Sequence, residues 1–147
     1  MNDIDVIMDM LDWNQSEDIQ QKGIELAKRI KNINAFVFPK MPNKNVWENC
    51  AKILSYKSDF ELEPFIIHLL EWLEDENWPG SLIILSRLRL FTNVKTLAFC
   101  IQGRVKIASF LGNRSWLRNM AELLENHALA DALSKDCLLE LRKYKSE

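Results

Sequence analysis

Apolar residues recur at helical spacing along most of the chain, with polar residues filling the positions between them. Val6, Ile7, Met10 and Leu11 make one side of a short amphipathic segment from Ile4 to Leu11. Asn14 precedes Glu17 at capping-box spacing, and Ile19, Gly23, Leu26, Ala27 and Ile30 then follow at helical period. From Lys31 to Lys44 the pattern breaks. Pro39, Pro42 and three asparagines mark this stretch as one long loop, with Phe36, Val37 and Phe38 expected to fold beneath it.

Beyond the loop, helix starts become regular. Asn45 is placed to cap a helix from Val46, and Asp59 or Glu61 to open one with Pro64 in its first turn. Asn77 is placed to cap a helix entered through Trp78-Pro79, and Asn93 one from Val94. These starts lie about 16 residues apart. Gly112-Asn113 ends the longest helix and opens another from Arg114 to Glu125, followed by a last pair, Ala128 to Leu133 and Lys135 to Lys143. Two helices every ~32 residues predict an all-α fold, a short right-handed α-solenoid of antiparallel helix pairs with about eight helices, HEAT-like in rhythm. A strand from Leu82 to Phe91, suggested by Leu88 and Leu90 alternating with Arg87 and Arg89, is disfavoured. Trp78-Pro79-Gly80 reads as a helix entry, and no partner strand is present.

Helical angles assign the faces. From Leu62 to Glu74, Leu62, Phe65, Ile66, Leu69, Leu70 and Leu73 form a continuous apolar arc. Trp72 falls at its rim with His68 beside it, and Glu71 and Glu74 point away. From Val94 to Leu111 the helix is apolar almost all round, with a narrow polar stripe of Lys95, Gln102 and Lys106. That predicts a central helix packed on several sides.

Composition narrows the class. The 147 residues are 48% apolar and 27% charged, with a net charge of −2, which fits a single domain over residues 1–147. Four Gly and four Pro are too few for collagen-like or turn-rich all-β chains. No apolar run approaches the ~18–20 residues of a membrane span. Met1-Asn2-Asp3-Ile4-Asp5 lacks the layout of a signal peptide, so a cytoplasmic location is expected. Cys50, Cys100 and Cys137 are odd in number and widely spaced, which suits buried thiols and neither a disulfide framework nor a zinc site.

One segment carries a resemblance. Leu69-Leu70-Glu71-Trp72-Leu73-Glu74-Asp75-Glu76-Asn77-Trp78-Pro79-Gly80 resembles the Leu-Leu-x-Trp-Leu-x-Asp-x-Asn-Trp-Pro-Gly/Val motif of a bacterial family of uncharacterised small helical domains. The similarity runs from about Trp13 to Leu124, although only these dozen residues are specific. The family is similar to HEAT-repeat proteins, and some of its members lie near polymorphic-toxin loci, where small immunity proteins are common. The resemblance implies a fold and partner binding, and brings no catalytic residues with it. The motif also has a local logic: Asn77 caps, Pro79 presets a turn, Gly80 permits close approach, and Trp72 and Trp78 fill the corner.

Enzyme signatures are scarce. His68 and Glu71 stand at i and i+3, but a metal site needs further such pairs from other helices. His127 falls near a helix end and is expected to help terminate it. Ser81, Ser86 and Ser109 have no His at motif spacing, and phosphate-loop, nucleophile-elbow and zinc-protease motifs are missing. No catalysis, cofactor or metal is expected.

Charge is the strongest functional signal. Between Asn77 and Ala121 stand seven basic residues and no acid, leaving 12 basic against 21 acidic residues elsewhere. The leading reading is a protein-binding module, immunity-type or adaptor, with an acidic and aromatic face of Glu71, Trp72, Glu74, Asp75, Glu76 and Trp78, flanked by Glu61 and Glu63. The expected partner is a protein such as a basic toxin, to which these acids would mimic nucleic acid. In the alternative, Arg87, Arg89, Lys95, Lys106, Arg114 and Arg118, with Gln102 and Trp116, grip nucleic acid or an acidic partner. Net negative charge disfavours nucleic acid. Neither reading fixes an oligomeric state, and no membrane partner is expected.

Overall fold

The computed structural model describes residues 3–39 and 43–145. Within them the chain forms eleven α-helices and three 3-10 turns, with no strand. In order, the helices are α1 (Asp3–Met10), α2 (Glu17–Ala27), α3 (Asn34–Val37), α4 (Trp47–Ser55), α5 (Asp59–Leu62), α6 (Ile66–Glu71), α7 (Ser81–Arg89), α8 (Val94–Leu111), α9 (Arg114–Ala121), α10 (His127–Ala132) and α11 (Lys135–Lys145). The helix count exceeds expectation because turns interrupt the longer segments. The helix expected from Leu62 to Glu74 is divided by a 3-10 turn at Glu63–Phe65, where Pro64 has no N–H to continue the ladder. The loop from Lys31 to Lys44 holds α3, which buries Phe36 and Val37 and leaves Phe38 exposed, while residues 40–42 of it lie outside the described residues.

Several caps sit where expected and others do not. Asn93 accepts from the Thr96 amide and Asn113 from the Trp116 amide, at the starts of α8 and α9. Ser16, not Asn14, caps α2, and Ser58 caps α5 in a reciprocal capping box with Glu61. Asn45 caps nothing, because Lys44–Val46 forms a 3-10 turn and α4 starts from Val46 without a side-chain cap. Asn126 caps α10, so His127 opens that helix instead of ending the previous one.

Buried apolar residues from α1 to α11 form one cluster. Helix α4 packs on α3 and α7, α8 on α6, α9 and α10, and α9 on α11. Helix ends buried this way leave carbonyls without intrahelical partners. Side chains from later in the chain supply them. Asn49 donates to the Leu11 carbonyl at 2.7 Å, and Lys57 to those of Lys28 and Ile30 at 2.9 and 2.8 Å. Arg87 reaches the Lys57 carbonyl at 3.0 Å, and Asn126 those of Arg89 and Phe91 at 3.2 and 3.3 Å. On the α3 and α6 side, Trp72 donates to Val37, Trp116 to Leu70 and Asn119 to Leu73, at 3.1, 2.9 and 2.8 Å. Asn49, Lys57 and Asn119 are buried, and these bonds remove the penalty of burying them.

Helix α8 departs from expectation. Its buried arc is Leu97, Ala98, Ile101, Val105 and Ala108, whereas Phe99 and Phe110 are 77% and 90% exposed. Neighbours cover only one side of it, so it is not packed all round. Cys50 and Cys137 are buried, Cys100 is half-buried, and all three are free. Burial pushes the Cys50 thiol up to about 12 and, with Glu140 adding to it, Cys137 to about 11. Such thiols stay protonated and unreactive. Among the described residues no helix is long and apolar enough to cross a membrane.

Candidate functional site: an aromatic recess beside two glutamates

The chain leaves α6 through a tight turn. Amides of Trp72, Leu73 and Glu74 donate to the carbonyls of Leu69, Leu70 and Glu71, each three residues back, at 3.0 to 3.2 Å. In 3-10 geometry, residues three apart eclipse, so Glu71 and Glu74 come to one side. The Asp75 carboxylate then accepts from the Asn77 amide at 2.9 Å, and the Trp78 amide closes on the Asp75 carbonyl at 3.1 Å. Asn77 therefore caps no helix: α7 starts at Ser81 from Gly80, and Pro79 precedes it.

Gly80 is required by this corner. Its φ of +86° lies in the left-handed region, and a Cβ there would stand 2.6 Å from the Ala51 Cβ and 3.1 Å from the Trp72 ring. The absent side chain lets the turn settle against α4 and bring three indoles together. Trp47 of α4 meets Trp78 edge-to-face, with ring centroids 5.8 Å apart and planes at 86°, and lies 5.9 Å from Trp72. The Trp72 bond to the Val37 carbonyl fixes that ring against the end of α3.

These rings line a recess of about 320 Å³ open to solvent. Val37, Phe38 and Pro39 at the end of α3, His68 and Glu71 of α6, and Glu74 just beyond it complete the lining. Phe38 packs edge-on to His68 at 4.6 Å. Around the recess, the carboxylates differ in their partners. Glu71 lies 3.5 Å from the Arg104 guanidinium, whose Nε is buried without a partner among the described residues. Glu74 meets no cation among the described residues, and burial first, then the neighbouring Glu71, pushes its carboxyl above the usual range. Lys44 stands 5.7 Å from the Trp47 ring centre.

Of the six residues nominated for the acidic and aromatic face, Glu71, Trp72, Glu74 and Trp78 line the recess. Trp72 does so differently from an exposed anchor: at 7% exposure it belongs to the core and offers the recess only part of its ring. Asp75 is engaged in the turn and Glu76 is exposed beyond it, and neither lines the recess. Glu61 and Glu63 are occupied with Ser58 and Asn93. Sequence reasoning did not include Phe38, Trp47 and His68 in the face. Trp47 and Phe38 stand far from the motif along the chain, and no periodicity relates them to it.

Three of the seven cations in the basic stretch are paired with acids from outside it. Arg87 pairs with Asp59 at 2.5 Å with only 12% of its side chain exposed, and Arg89 lies 3.4 Å from Glu122. With Arg104 held by Glu71, only Lys95, Lys106, Arg114 and Arg118 are exposed. Arg87 is thereby nearly closed off and Arg89, 30% exposed, is paired, because tertiary packing delivers the acids the segment lacks. Among the described residues no three His, Cys, Asp or Glu side chains come together as metal ligands would. No protein-family model, curated protein or solved structure matches the chain.

Proposed function

We propose that this chain is a non-catalytic, cytoplasmic protein-binding module of immunity or adaptor type that holds its partner through the acidic, aromatic recess. The observation that carries this reading is the recess itself: three indoles and two glutamates gathered at an open corner, with Glu74 lacking a cation among the described residues. Indoles in partly desolvated pockets are frequent anchors of protein interfaces. The motif's resemblance to small domains near toxin loci supports the same direction. The finer fold proposed with it is a short right-handed α-solenoid of antiparallel helix pairs. Its support is the recurrence of one device, a later side chain closing an earlier helix end 27 to 46 residues back.

The experiment is a tagged pull-down at about 150 mM salt, where exposed charges beyond ~8 Å are screened, with nuclease treatment. Wild type is compared with Glu71→Lys/Glu74→Lys. The expected result is one stoichiometric protein, retained after nuclease and lost from the double variant. Recovery of nucleic acid instead, released by salt, overturns the reading.

One observation favours the second reading, nucleic-acid binding through the basic 87–118 stretch. Helix α8 exposes Phe99 and Phe110 together with Lys95 and Lys106, and cations interleaved with aromatic rings suit stacked bases and phosphates. Under that reading, Lys95→Glu with Lys106→Glu abolishes nucleic-acid binding and leaves folding intact.

A further inference from the structure

We propose that the recess is a receptor for a single arginine side chain presented by the partner protein, its guanidinium laid against the indoles and facing Glu74. This rests on the protein-binding reading and adds the chemistry of what is bound. The apolar lining suits the methylene stem of a long side chain, and half-buried Trp78 offers ring surface to its cationic end, with Trp47 and Trp72, 5% and 7% exposed, behind it. Charge complementarity selects the sign. Two eclipsed carboxylates share this side, and the internal cation, Arg104, reaches Glu71 at 3.5 Å and leaves Glu74 facing the recess. A planar guanidinium stacks on a ring while donating in its own plane to a carboxylate, which a lysine ammonium cannot do. The titratable groups around Glu74 are Glu71, His68 and, through Glu71, Arg104, with Lys44 over Trp47. Glu74 is driven toward protonation in the free protein, so binding a cation there restores its charge and tightens as pH rises through its titration.

The test uses the full chain, labelled with ¹⁵N, and three capped tripeptides: acetyl-Gly-Arg-Gly-amide, its citrulline counterpart and its lysine counterpart. The arginine peptide is expected to shift the indole N–H signals of Trp72 and Trp78 saturably, while those of Trp13 and Trp116 stay in place. Citrulline, which keeps the shape and loses the charge, is expected to give no saturable shift. The lysine peptide is expected to bind more weakly. Glu74→Gln, which preserves volume, is expected to weaken the arginine peptide about tenfold, the worth of one charge-assisted hydrogen bond. Equal binding of citrulline, binding of lysine as tight as arginine, or unchanged affinity in Glu74→Gln overturns the proposal. The two readings fail separately. A protein partner whose capture is unaffected by Glu74→Gln removes the arginine receptor and leaves a binding module, whereas a recess that takes the arginine peptide in a chain with no protein partner does the reverse.

Discussion

The corner around Gly80 and the outer face of α8 around Gly103 are both rich in aromatic rings, and they are built on opposite terms. At Gly80 every ring is held: Trp72 by the Val37 carbonyl, Trp78 edge-on to Trp47, and the turn by a glycine where no Cβ fits. On α8, Phe99 and Phe110 stand in solvent on either side of Gly103, where a Cβ would meet nothing within 4 Å. The comparison teaches that aromatic content does not make a site. A recess arises where hydrogen bonds and a close backbone approach pre-set the rings at no further ordering cost on binding. The α8 face has rings without such fixation.

The largest effect that sharpens this contrast is expected from Gly80→Ala. Strain at positive φ and overlap with Ala51 together cost about 3 kcal/mol or more, read as a drop in the urea midpoint. A midpoint shift below about 1 kcal/mol breaks the claim that this backbone position shapes the corner. Next is Trp72→Phe, which strands the buried Val37 carbonyl and removes ring volume, for a loss of about 2 kcal/mol in the same measurement.

Asp59 comes third and ties α5 to Arg87 of α7 and to Thr92 in the turn before α8. Burial works to raise its carboxyl, but the Thr92 hydroxyl and amide and the Arg87 guanidinium outweigh it and hold it below the usual range. A lowered carboxyl stabilises the fold above its unfolded value, and that contribution disappears as pH falls through its folded value. Asp59→Asn is therefore expected to cost about 1–2 kcal/mol at pH 7, a cost that shrinks as pH falls through the folded value, by thermal unfolding across pH.

Gly103→Ala reverses the sign of its Gly80 counterpart. In an open helix interior, alanine is expected to stabilise by about 0.5–1 kcal/mol in chemical denaturation. A loss of stability there means that the outer face of α8 is packed in the protein in solution. The smallest effect is Glu74→Gln. Because its carboxyl is raised in the fold, the ionised form destabilises as pH rises through that value. Replacement is expected to raise stability at pH 7 by less than about 1 kcal/mol, given solvent screening, and to be neutral below pH 4. Opposite pH slopes for Asp59→Asn and Glu74→Gln are thus the electrostatic form of the same comparison.

Much of this was legible along the chain. Helical period named an arc of which Leu62, Ile66, Leu69, Leu70 and Leu73 are buried and Phe65 half-buried, and Asn93, Gly112 and Asn113 marked the limits of α8. These features are local: a cap or an apolar stripe involves residues within a turn or two of one another. Errors fell where local signals compete, as at Asn14 and Ser16, or where Pro64 split one expected helix into shorter elements.

Glu71, Trp72, Glu74 and Trp78 could be nominated from sequence because they share one motif. That Trp72 would be buried, and that Trp47, Phe38 and His68 would complete the recess, depended on contacts across 20 to 35 residues, for example Trp72 with Val37. Charge shows the same division. Sequence determined that residues 77–121 carry cations and no acid. Only tertiary structure decided that Arg87, Arg89 and Arg104 meet Asp59, Glu122 and Glu71 while Glu74 is left without a cation among the described residues. The physical reason is range: periodicity and capping act within a helical turn, whereas ion pairing and cavity formation depend on distances in space that packing alone sets.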